Sequence, residues 1–481
     1  MPIESKDDVQ TPPPLCVDLD GTLARTDLLV EAVFALIRRN IFYAFRIPFW
    51  LLQGKAFLKE QIARRIDIDV TQLPYQNDFI DYLAARKAAG GRIILTTASH
   101  TRYAHAVADH LGLFDQVLAT GDGQNLSGHY KLLAIQGALD STAFDYAANS
   151  LVDLPIWEQA NAVILVNPEH GVRTAAQKLG SIDREFGEAA RGGITDYLKA
   201  ARAHQALKNL LIFVPLLLSH RLGEPALVWQ AVIAFLSFSL CTSSVYLLND
   251  LMDLPTDRRH PVKRNRPLAA GTVSIVHCSV MIPLLLLGSV IVALVLPPGF
   301  LAALTLYYLI TLAYSVWLKN VALLDVLILA GLHTLRLIAG AEAVTVVPSF
   351  WLLAFSMFLF LSLALVKRYA DVLKRSKETN TTSTNVYRAS DLPMLSQFGS
   401  TSAFVAVLVL ALYINSDAVT ALYRNPQVIW LLCPLMLYLM GRIWLLAHRN
   451  EMPEDPIMFA IQDRRSQMLA FAAIGLLWIA I

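Results

Sequence analysis

From about Leu207 onward the chain is built from apolar runs of roughly 20 residues, each long enough to cross about 30 Å of hydrocarbon as a helix. Inside a bilayer each such run must satisfy its own backbone polar groups, which leaves an all-α polytopic membrane domain as the expected architecture. Nine transmembrane helices are expected, near residues 207–222, 226–248, 273–296, 299–318, 321–345, 348–366, 399–415, 426–447 and 467–481. Residues 1–205 instead carry ordinary charge density, so the 481-residue chain divides in two. Its average, 55% hydrophobic and 16% charged, hides that division.

Charge placement orients the spans. The segments 249–272, 367–398 and 448–466 hold most of the Lys and Arg, whereas the opposite connections, such as Pro297-Pro298-Gly299, are short and nearly uncharged. The positive-inside bias therefore places these three loops in the cytoplasm of a bacterial-type inner or plasma membrane. Residues 1–14 are polar and proline-rich, without the basic-then-apolar layout of a secretory signal, so the first domain is expected on the same side. Gly192-Gly193 and the basic stretch that follows suggest a linker and interfacial helix over residues 196–206. Cys16, Cys241, Cys278 and Cys433 are scattered through apolar context and read as packing residues. The expected partner is a membrane, not a nucleic acid.

The chemistry of the second domain is concentrated where one apolar run ends, at Asn249-Asp250-Leu251-Met252-Asp253-Leu254-Pro255-Thr256-Asp257. On a helix, intervals of three and four put Asp250, Asp253 and Asp257 on one face. Carboxylates so placed repel one another unless magnesium ions bridge them to a diphosphate, which they would activate as a leaving group. The basic run from Arg258 to Arg266 follows at once; it suits phosphate contacts and also serves topology.

In the first domain a short apolar strand, Leu15-Cys16-Val17, runs into Asp18-Leu19-Asp20-Gly21-Thr22. Two carboxylates two residues apart leave a strand on one side, and Gly21 permits the sharp exit. This resembles the first motif of the haloacid dehalogenase (HAD) phosphatase superfamily. Thr97-Ala98-Ser99 after the strand 92–96, Lys131 after Gly128, and residues 149–155 resemble its later motifs in order, although Ala148-Asn149 stands where Gly-Asp is common. The resemblance implies an α/β Rossmann-like domain over 1–195 with a helical cap over 28–85. It makes Asp18 the nucleophile, Asp20 the general acid and base, Thr97 and Lys131 phosphate ligands, and Asp18, Asp20 and Asp153 ligands of Mg2+. Within the cap, residues 32–52 are apolar but interrupted by Arg38, Arg39 and Arg46, which fits a helix lying on the membrane or one buried in the cap.

The pattern N-D-x-x-D-x-x-x-D resembles the first signature of the UbiA prenyltransferase superfamily, nine-span intramembrane enzymes, over residues 207–481. Most members carry a second acidic motif, D-x-x-x-D, after the sixth span; here Lys367-Arg368-Tyr369-Ala370-Asp371 stands in its place. That departure, with Leu335-Arg336-Leu337-Ile338-Ala339-Gly340-Ala341, Tyr387-Arg388-Ala389 and Glu454-Asp455-Pro456, resembles the decaprenyl-phosphate phosphoribosyltransferase branch. The branch implies phosphoribosyl diphosphate (PRPP) as donor and a polyprenyl phosphate lipid as acceptor. Mg2+ would sit on Asp250, Asp253 and Asp257, with Asn249, Lys263, Arg266, Arg336, Lys367, Arg368 and Asp371 as substrate ligands. Arg336 lies within an apolar span, where it either faces a cavity or pairs with Glu342. The fused phosphatase would then remove the 5-phosphate to leave polyprenyl-phosphoryl-ribose. The alternative is an aromatic prenyltransferase using polyprenyl diphosphate, with an inactive or regulatory first domain.

Overall fold

In a computed structural model the described residues are 12–121, 123–139, 143–187, 192–377, 386–416, 423–453 and 455–480. Glu454 and residues 1–11 lie outside them. The chain forms two compact units: residues 1–201 with 246–283, and residues 202–245 with 284–481.

The first unit is organised by a six-stranded sheet: β1 (Leu15–Val17), β2 (Ile93–His100), β3 (Gln116–Thr120), β4 (Asp145–Ala148), β5 (Ala162–Val166) and β6 (Ile182–Phe186). The spatial order is β3-β2-β1-β4-β5-β6, and every pairing is parallel. A parallel sheet is covered on both faces, so its central strands are continuously apolar. Leu15, Val17, Ile93, Leu95 and Ile164 face one layer of the core, and Cys16, Ile94, Tyr146, Val163 and Leu165 the other. Helices α1 (Leu28–Arg39), α2 (Tyr43–Leu52), α3 (Lys55–Ala63) and α4 (Asn77–Ala88) fill the connection from β1 to β2. Of these, α4 belongs to the layer on the sheet: Phe79 is fully buried, its ring 5.2 Å from that of Phe186. Helices α5 (Thr101–Leu111), α6 (His129–Ala138), α7 (Leu154–Trp157), α8 (Val172–Leu179) and α9 (Ile194–Ala200) complete the unit's N-terminal part. No residue of α2 is buried, and Phe42, Phe45, Phe49 and Leu52 are largely exposed, so of the two alternatives for residues 32–52 the buried helix holds only for the α1 part, where Ala32, Phe34 and Leu36 are buried.

Residues 246–283 join this unit through charge. Arg258 donates two hydrogen bonds to Glu31 of α1, at 2.9 and 2.5 Å, with both side chains nearly out of solvent. Arg259 reaches Asp69 at 2.5 Å, and Arg38 donates to the Met252 carbonyl at 3.1 Å and pairs with Asp253 at 3.4 Å. Gly271, at φ +69°, allows the following turn to lie against Arg25; an added Cβ would fall 2.7 Å from the Arg25 carbonyl oxygen.

The remaining elements, shared between residues 246–283 of the first unit and the second unit, are helical. A 3-10 segment, Ala203–Phe213, leads into α10 (Val214–Leu218), and α11 (Pro225–Met252) is followed by α12 (Leu254–Arg259). Then come α13 (Ile275–Ala293), α14 (Pro298–Val316), α15 (Leu324–Ala343), α16 (Phe350–Lys377), α17 (Leu392–Ile414), α18 (Pro426–Ile429), α19 (Leu432–His448), α20 (Pro456–Gln462) and α21 (Arg464–Ala480). Helix α15 packs against both α14 and α16, and α17 against α16 and α19. Leu284, Leu287 and Ile291 of α13 are each more than half exposed, an outward apolar stripe that suits lipid. Inside, polar groups are matched: Trp444 Nε1 donates to Ser362 Oγ at 3.1 Å, which donates to the Gly399 carbonyl at 2.7 Å.

Seven helical segments among the described residues are long and apolar enough to cross a membrane, where nine were expected. The first expected span is only the 3-10 segment and the short α10, interrupted where Gly223 and Glu224 precede α11. The last is α21, 17 residues that begin with Arg464 and Arg465. The carboxylates also depart from one continuous helix face. Asp253 closes α11 and opens α12, because Pro255 in the first turn of α12 lacks the N–H that would continue the ladder.

Replacing Glu31 by Ala strands the Arg258 charge in the interior, which typically costs about 3–5 kcal/mol. Faster amide exchange in α1 and α12 of the detergent-solubilised protein is the expected readout, with much of the loss restored in the Glu31→Ala/Arg258→Met double variant. Unchanged exchange in Glu31→Ala would show that the pair does not hold the segment.

Candidate functional site

The sheet order reverses direction between β1 and β4, and in open α/β sheets the crevice beyond that switch point is where ligands bind. Asp18 and Asp20 leave β1 there, Thr97 and Ser99 come from the end of β2, and Asn149 and Asp153 follow β4. Gly21, at φ +78°, makes the exit turn where any Cβ would strike the Asn149 amide. A cavity of about 280 Å³ results, lined by Asp18, Asp20, Lys131, Asn149 and Asp153 among others.

Lys131 Nζ is the hub of this cavity. It donates to Asp18 Oδ1 at 2.9 Å, Asp153 Oδ1 at 3.2 Å and the Tyr146 hydroxyl at 3.1 Å, while Tyr146 donates to Asp153 at 2.8 Å. Asp20 accepts from the Leu28 amide at 2.9 Å and from Ser99 Oγ at 2.6 Å, with the Thr97 hydroxyl at 3.5 Å. Burial, relieved by Lys131 and reinforced by Asp153, pushes the Asp18 carboxyl up to about 7; burial and the Asp27 charge push Asp20 up to about 6. An acid poised near neutrality suits proton transfer, the part expected of Asp20.

The four motif residues Asp18, Asp20, Lys131 and Asp153 thus line one cavity, with Thr97 directly behind Asp20. The sequence reading missed Lys59 of α3, which lines the same cavity and donates to the Ala98 carbonyl and to Asn125 Oδ1, each at 2.6 Å. It also missed Arg25, and the wall made by Ser274, Ile275 and Val276 at the start of α13. No local pattern marks these residues, since only the folded chain brings them to the strand ends.

The acid-rich segment of the same unit is arranged around cations. Arg266 Nη1 lies 2.6 Å from Asp257 Oδ2 and 3.3 Å from Asp250 Oδ1, and Asp253 faces Arg38. Lys263 begins a 3-10 turn, Lys263–Asn265, that turns the chain back so that Arg266 meets the acids. Asn249 Oδ1 is buried without a hydrogen-bond partner. Among the described residues no three His, Cys, Asp or Glu side chains are gathered closely enough to hold a metal ion.

In the second unit Arg336 is buried in α15. Its guanidinium donates to Asn209 Oδ1 at 3.0 Å, to the Leu332 carbonyl at 2.9 Å and to the Tyr307 hydroxyl at 2.9 Å, and lies over the Tyr307 ring. Of the two alternatives read from the sequence, pairing with Glu342 is not the one found, for Glu342 packs against Gly299. Arg368 is held by Asp325 at 2.6 Å and Tyr314 at 3.0 Å, with Asp371 at 3.7 Å, and Tyr387 donates to Asp325 at 2.6 Å. Asp325 was missed because it sits 43 positions before Arg368, in an apolar run. Lys367 feels the opposite charges of Asp371 and Asp455, and Lys208 is paired with Asp455. Tyr314, Lys319, Arg368, Asp371, Arg375 and Tyr387 line a polar cavity of about 210 Å³. Val214, Trp351, Phe355, Tyr413, Met436 and Leu477 contribute to an apolar one of about 370 Å³.

Comparison with known proteins agrees with both halves. Residues 210–464 match the UbiA prenyltransferase family, and residues 15–157 match the haloacid dehalogenase-like hydrolases. An uncharacterized protein of Sinorhizobium fredii, y4nM, is 35% identical over 458 residues, covering 94% of this chain and 88% of its own length. The nodulation protein NoeC of Azorhizobium caulinodans is 32% identical over 301 residues, 60% of this chain and 95% of that protein. The decaprenyl-phosphate phosphoribosyltransferase of Mycolicibacterium smegmatis is 34% identical over 183 residues, which span 37% of this chain and 58% of that enzyme. With its apolar helices, its acid-rich loop and a two-aspartate pocket on a parallel sheet ahead of them, the chain belongs to the UbiA prenyltransferase family and carries an N-terminal haloacid dehalogenase-like hydrolase domain.

Proposed function

We propose that the membrane domain transfers 5-phosphoribose from PRPP to a polyprenyl phosphate, and that the N-terminal domain then removes the 5-phosphate to leave polyprenyl-phosphoryl-ribose. The observation that carries this reading is the co-occurrence, in one chain, of a complete Asp18-Asp20-Lys131-Asp153 pocket and a transferase similar to decaprenyl-phosphate phosphoribosyltransferases. Such a transferase makes a lipid that bears a phosphomonoester, and a phosphatase consumes one.

In the transfer, an oxygen of the lipid phosphate forms a bond to ribose C1 while the C1–O bond to diphosphate breaks, and the diphosphate leaves with the electron pair. Asn249, Asp250, Asp253 and Asp257 are assigned to the leaving group, and Lys263 and Arg266 to its oxygens. The donor chemistry fits magnesium. Asn249 offers an orphaned buried oxygen, and Asp250 and Asp257 already converge on one positive charge, that of Arg266. Three carboxylates, Asp18, Asp20 and Asp153, line the other cavity. Magnesium bound at these acids would supply neutralisation of the diphosphate in one domain and of the transferred phosphoryl group in the other.

Arg336 supports an anionic substrate in its own way. A buried guanidinium whose hydrogen-bond partners are all neutral keeps an uncompensated charge, which a phosphate would balance. Lys367 and Asp371 are assigned to the lipid phosphate and the ribose hydroxyls. Arg368, held by Asp325, is assigned to positioning of that segment. The apolar cavity is of a size and chemistry to take part of a polyprenyl chain. The phosphatase and the basic loops are assigned to the cytoplasmic side, supported by their Lys and Arg content.

In the hydrolysis, an Asp18 oxygen bonds to phosphorus as the P–O bond to the ribose 5-oxygen breaks, and Asp20 protonates the leaving alkoxide. Water then attacks the aspartyl phosphate, Asp20 takes its proton, and inorganic phosphate leaves.

Labelled PRPP and decaprenyl phosphate, supplied in detergent, should give a dephosphorylated ribosyl lipid with the wild type and a phosphorylated one with Asp18→Asn. The same phosphorylated lipid from both would refute the sequential scheme, and no labelled lipid from PRPP together with transfer from labelled polyprenyl diphosphate to an added aromatic acceptor would favour an aromatic prenyltransferase. Asp253→Asn should lower lipid labelling by about 10²-fold or more, and so should chelation of magnesium, while hydrolysis of a simple phosphomonoester by Asp253→Asn stays near wild type. Arg336→Met should reduce transfer through KM for the phosphorylated substrates rather than through folding, checked by initial rates and by thermal unfolding of the same preparation.

A further inference from the structure

Three cations line the phosphatase cavity: Lys131, Lys59 and Arg25. The first two are committed. Lys131 serves Asp18, Asp153 and Tyr146, and Lys59 serves the Ala98 carbonyl and Asn125. Arg25 differs, for its Nε is buried and has no hydrogen-bond partner. Its backbone is nonetheless fixed, the amide donating to the Pro74 carbonyl at 2.9 Å and the carbonyl lying against Gly271. Arg25 therefore sets at the cavity wall a cation with a donor that no protein group takes, which suits an anion there. It is not part of the Asp18, Asp20, Lys131 and Asp153 set that accounts for the transferred phosphate.

The wall beside it is unusual for a phosphatase. Ser274, Ile275 and Val276 belong to the first turn of α13 and the residue before it, and α13 is one of the helices long and apolar enough to cross a membrane. The cavity therefore borders the polar end of a transmembrane segment within the first unit. A substrate whose tail runs into lipid meets no obstacle of principle there, because the helix beside it enters the same bilayer.

We propose that this cavity binds a substrate with two anionic groups: a phosphomonoester at Asp18 and, held by Arg25, a phosphodiester that carries the lipid. This rests on the reading of the first domain as a phosphatase for the lipid-linked sugar, and assigns the residue that would distinguish that lipid from a free sugar phosphate. In Arg25 the chain has a donor for the diester, and in the start of α13 a neighbour at the membrane face.

Binding to the full-length Asp18→Asn protein in detergent tests this without requiring turnover. The probes are ribose 5-phosphate and ribose 1,5-bisphosphate, titrated calorimetrically. The second phosphate should tighten binding by about 10- to 100-fold, the worth of one charge-assisted contact. In Asp18→Asn/Arg25→Ala that gain should vanish while affinity for ribose 5-phosphate stays the same, and Arg25→Lys should restore part of it. Equal weakening of both probes would place Arg25 at the common phosphate and overturn the proposal, as would no gain from the second phosphate. A decaprenyl-phosphoryl-5-phosphoribose dispersed in the same detergent should bind at least as tightly as the bisphosphate; weaker binding than ribose 5-phosphate would overturn the lipid assignment. If the probes behave as expected but wild-type protein hydrolyses none of them, the phosphatase reading fails and the two-anion site stands.

Discussion

The guanidinium of Arg258 and the carboxylate of Glu31 are both nearly sealed from water, and either charge alone in that place would cost several kcal/mol. Together, in a two-fold hydrogen-bonded arrangement, they fix the segment that follows α11 to the first helix after the phosphatase motif. Glu31 also accepts from Thr26, which neighbours Arg25 on one side and the helix-capping Asp27 on the other. Arg38–Asp253 and Arg259–Asp69 add contacts that are more exposed and contribute less. The same ion pair therefore ties the acid-rich segment to the helix that begins beside the Asp18 cavity.

That dependence has an electrostatic counterpart. All but one of the carboxylates assigned to chemistry in the first unit have a cation in an ion pair: Lys131 for Asp18 and Asp153, Arg266 for Asp250 and Asp257, Arg38 for Asp253; Asp20 accepts instead from Ser99 and the Leu28 amide. The pairing cations are long side chains that can exchange partners when phosphate oxygens arrive. The second unit shows the opposite arrangement. Arg336 is surrounded by an amide oxygen, a backbone carbonyl and a phenol, partners that orient a guanidinium without cancelling its charge.

Much of this was legible in the sequence because it is local. The strand 15–17, its two carboxylates and the glycine turn follow one another, and the apolar runs announce helices by length and composition. The acid spacing predicts three carboxylates on one helix face, and the structure departs from that. Pro255 sets the break at Asp253, so the acids lie on two helices and are shared between two arginines. What could not be read depends on long-range packing: Asp325 against Arg368, Asn209 against Arg336, Lys59 over the β2 end, and the start of α13 in the phosphatase wall. The shortfall in spans has a similar origin, since hydropathy alone did not show that residues 203–218 would form a 3-10 segment and a five-residue helix.

The close approach of residues 271–273 is permitted by two glycines. Gly271 lies against Arg25, and Gly192 against the Thr272 carbonyl and Val273, both in the left-handed region where a side chain would be strained as well as obstructed. Residues 246–283 are therefore constrained twice. Asn249, Asp250, Asp253 and Asp257 form the acid-rich motif assigned above to a diphosphate, while Arg258, Gly271 and Ser274 to Val276 serve the packing and the cavity of the first unit. A helix end that served only the transfer reaction would need the first set and not the second. Both sets fall within 38 consecutive residues, counted from the bounds 246 and 283, so one segment carries the acid-rich motif and also packs into the first unit as part of its cavity wall.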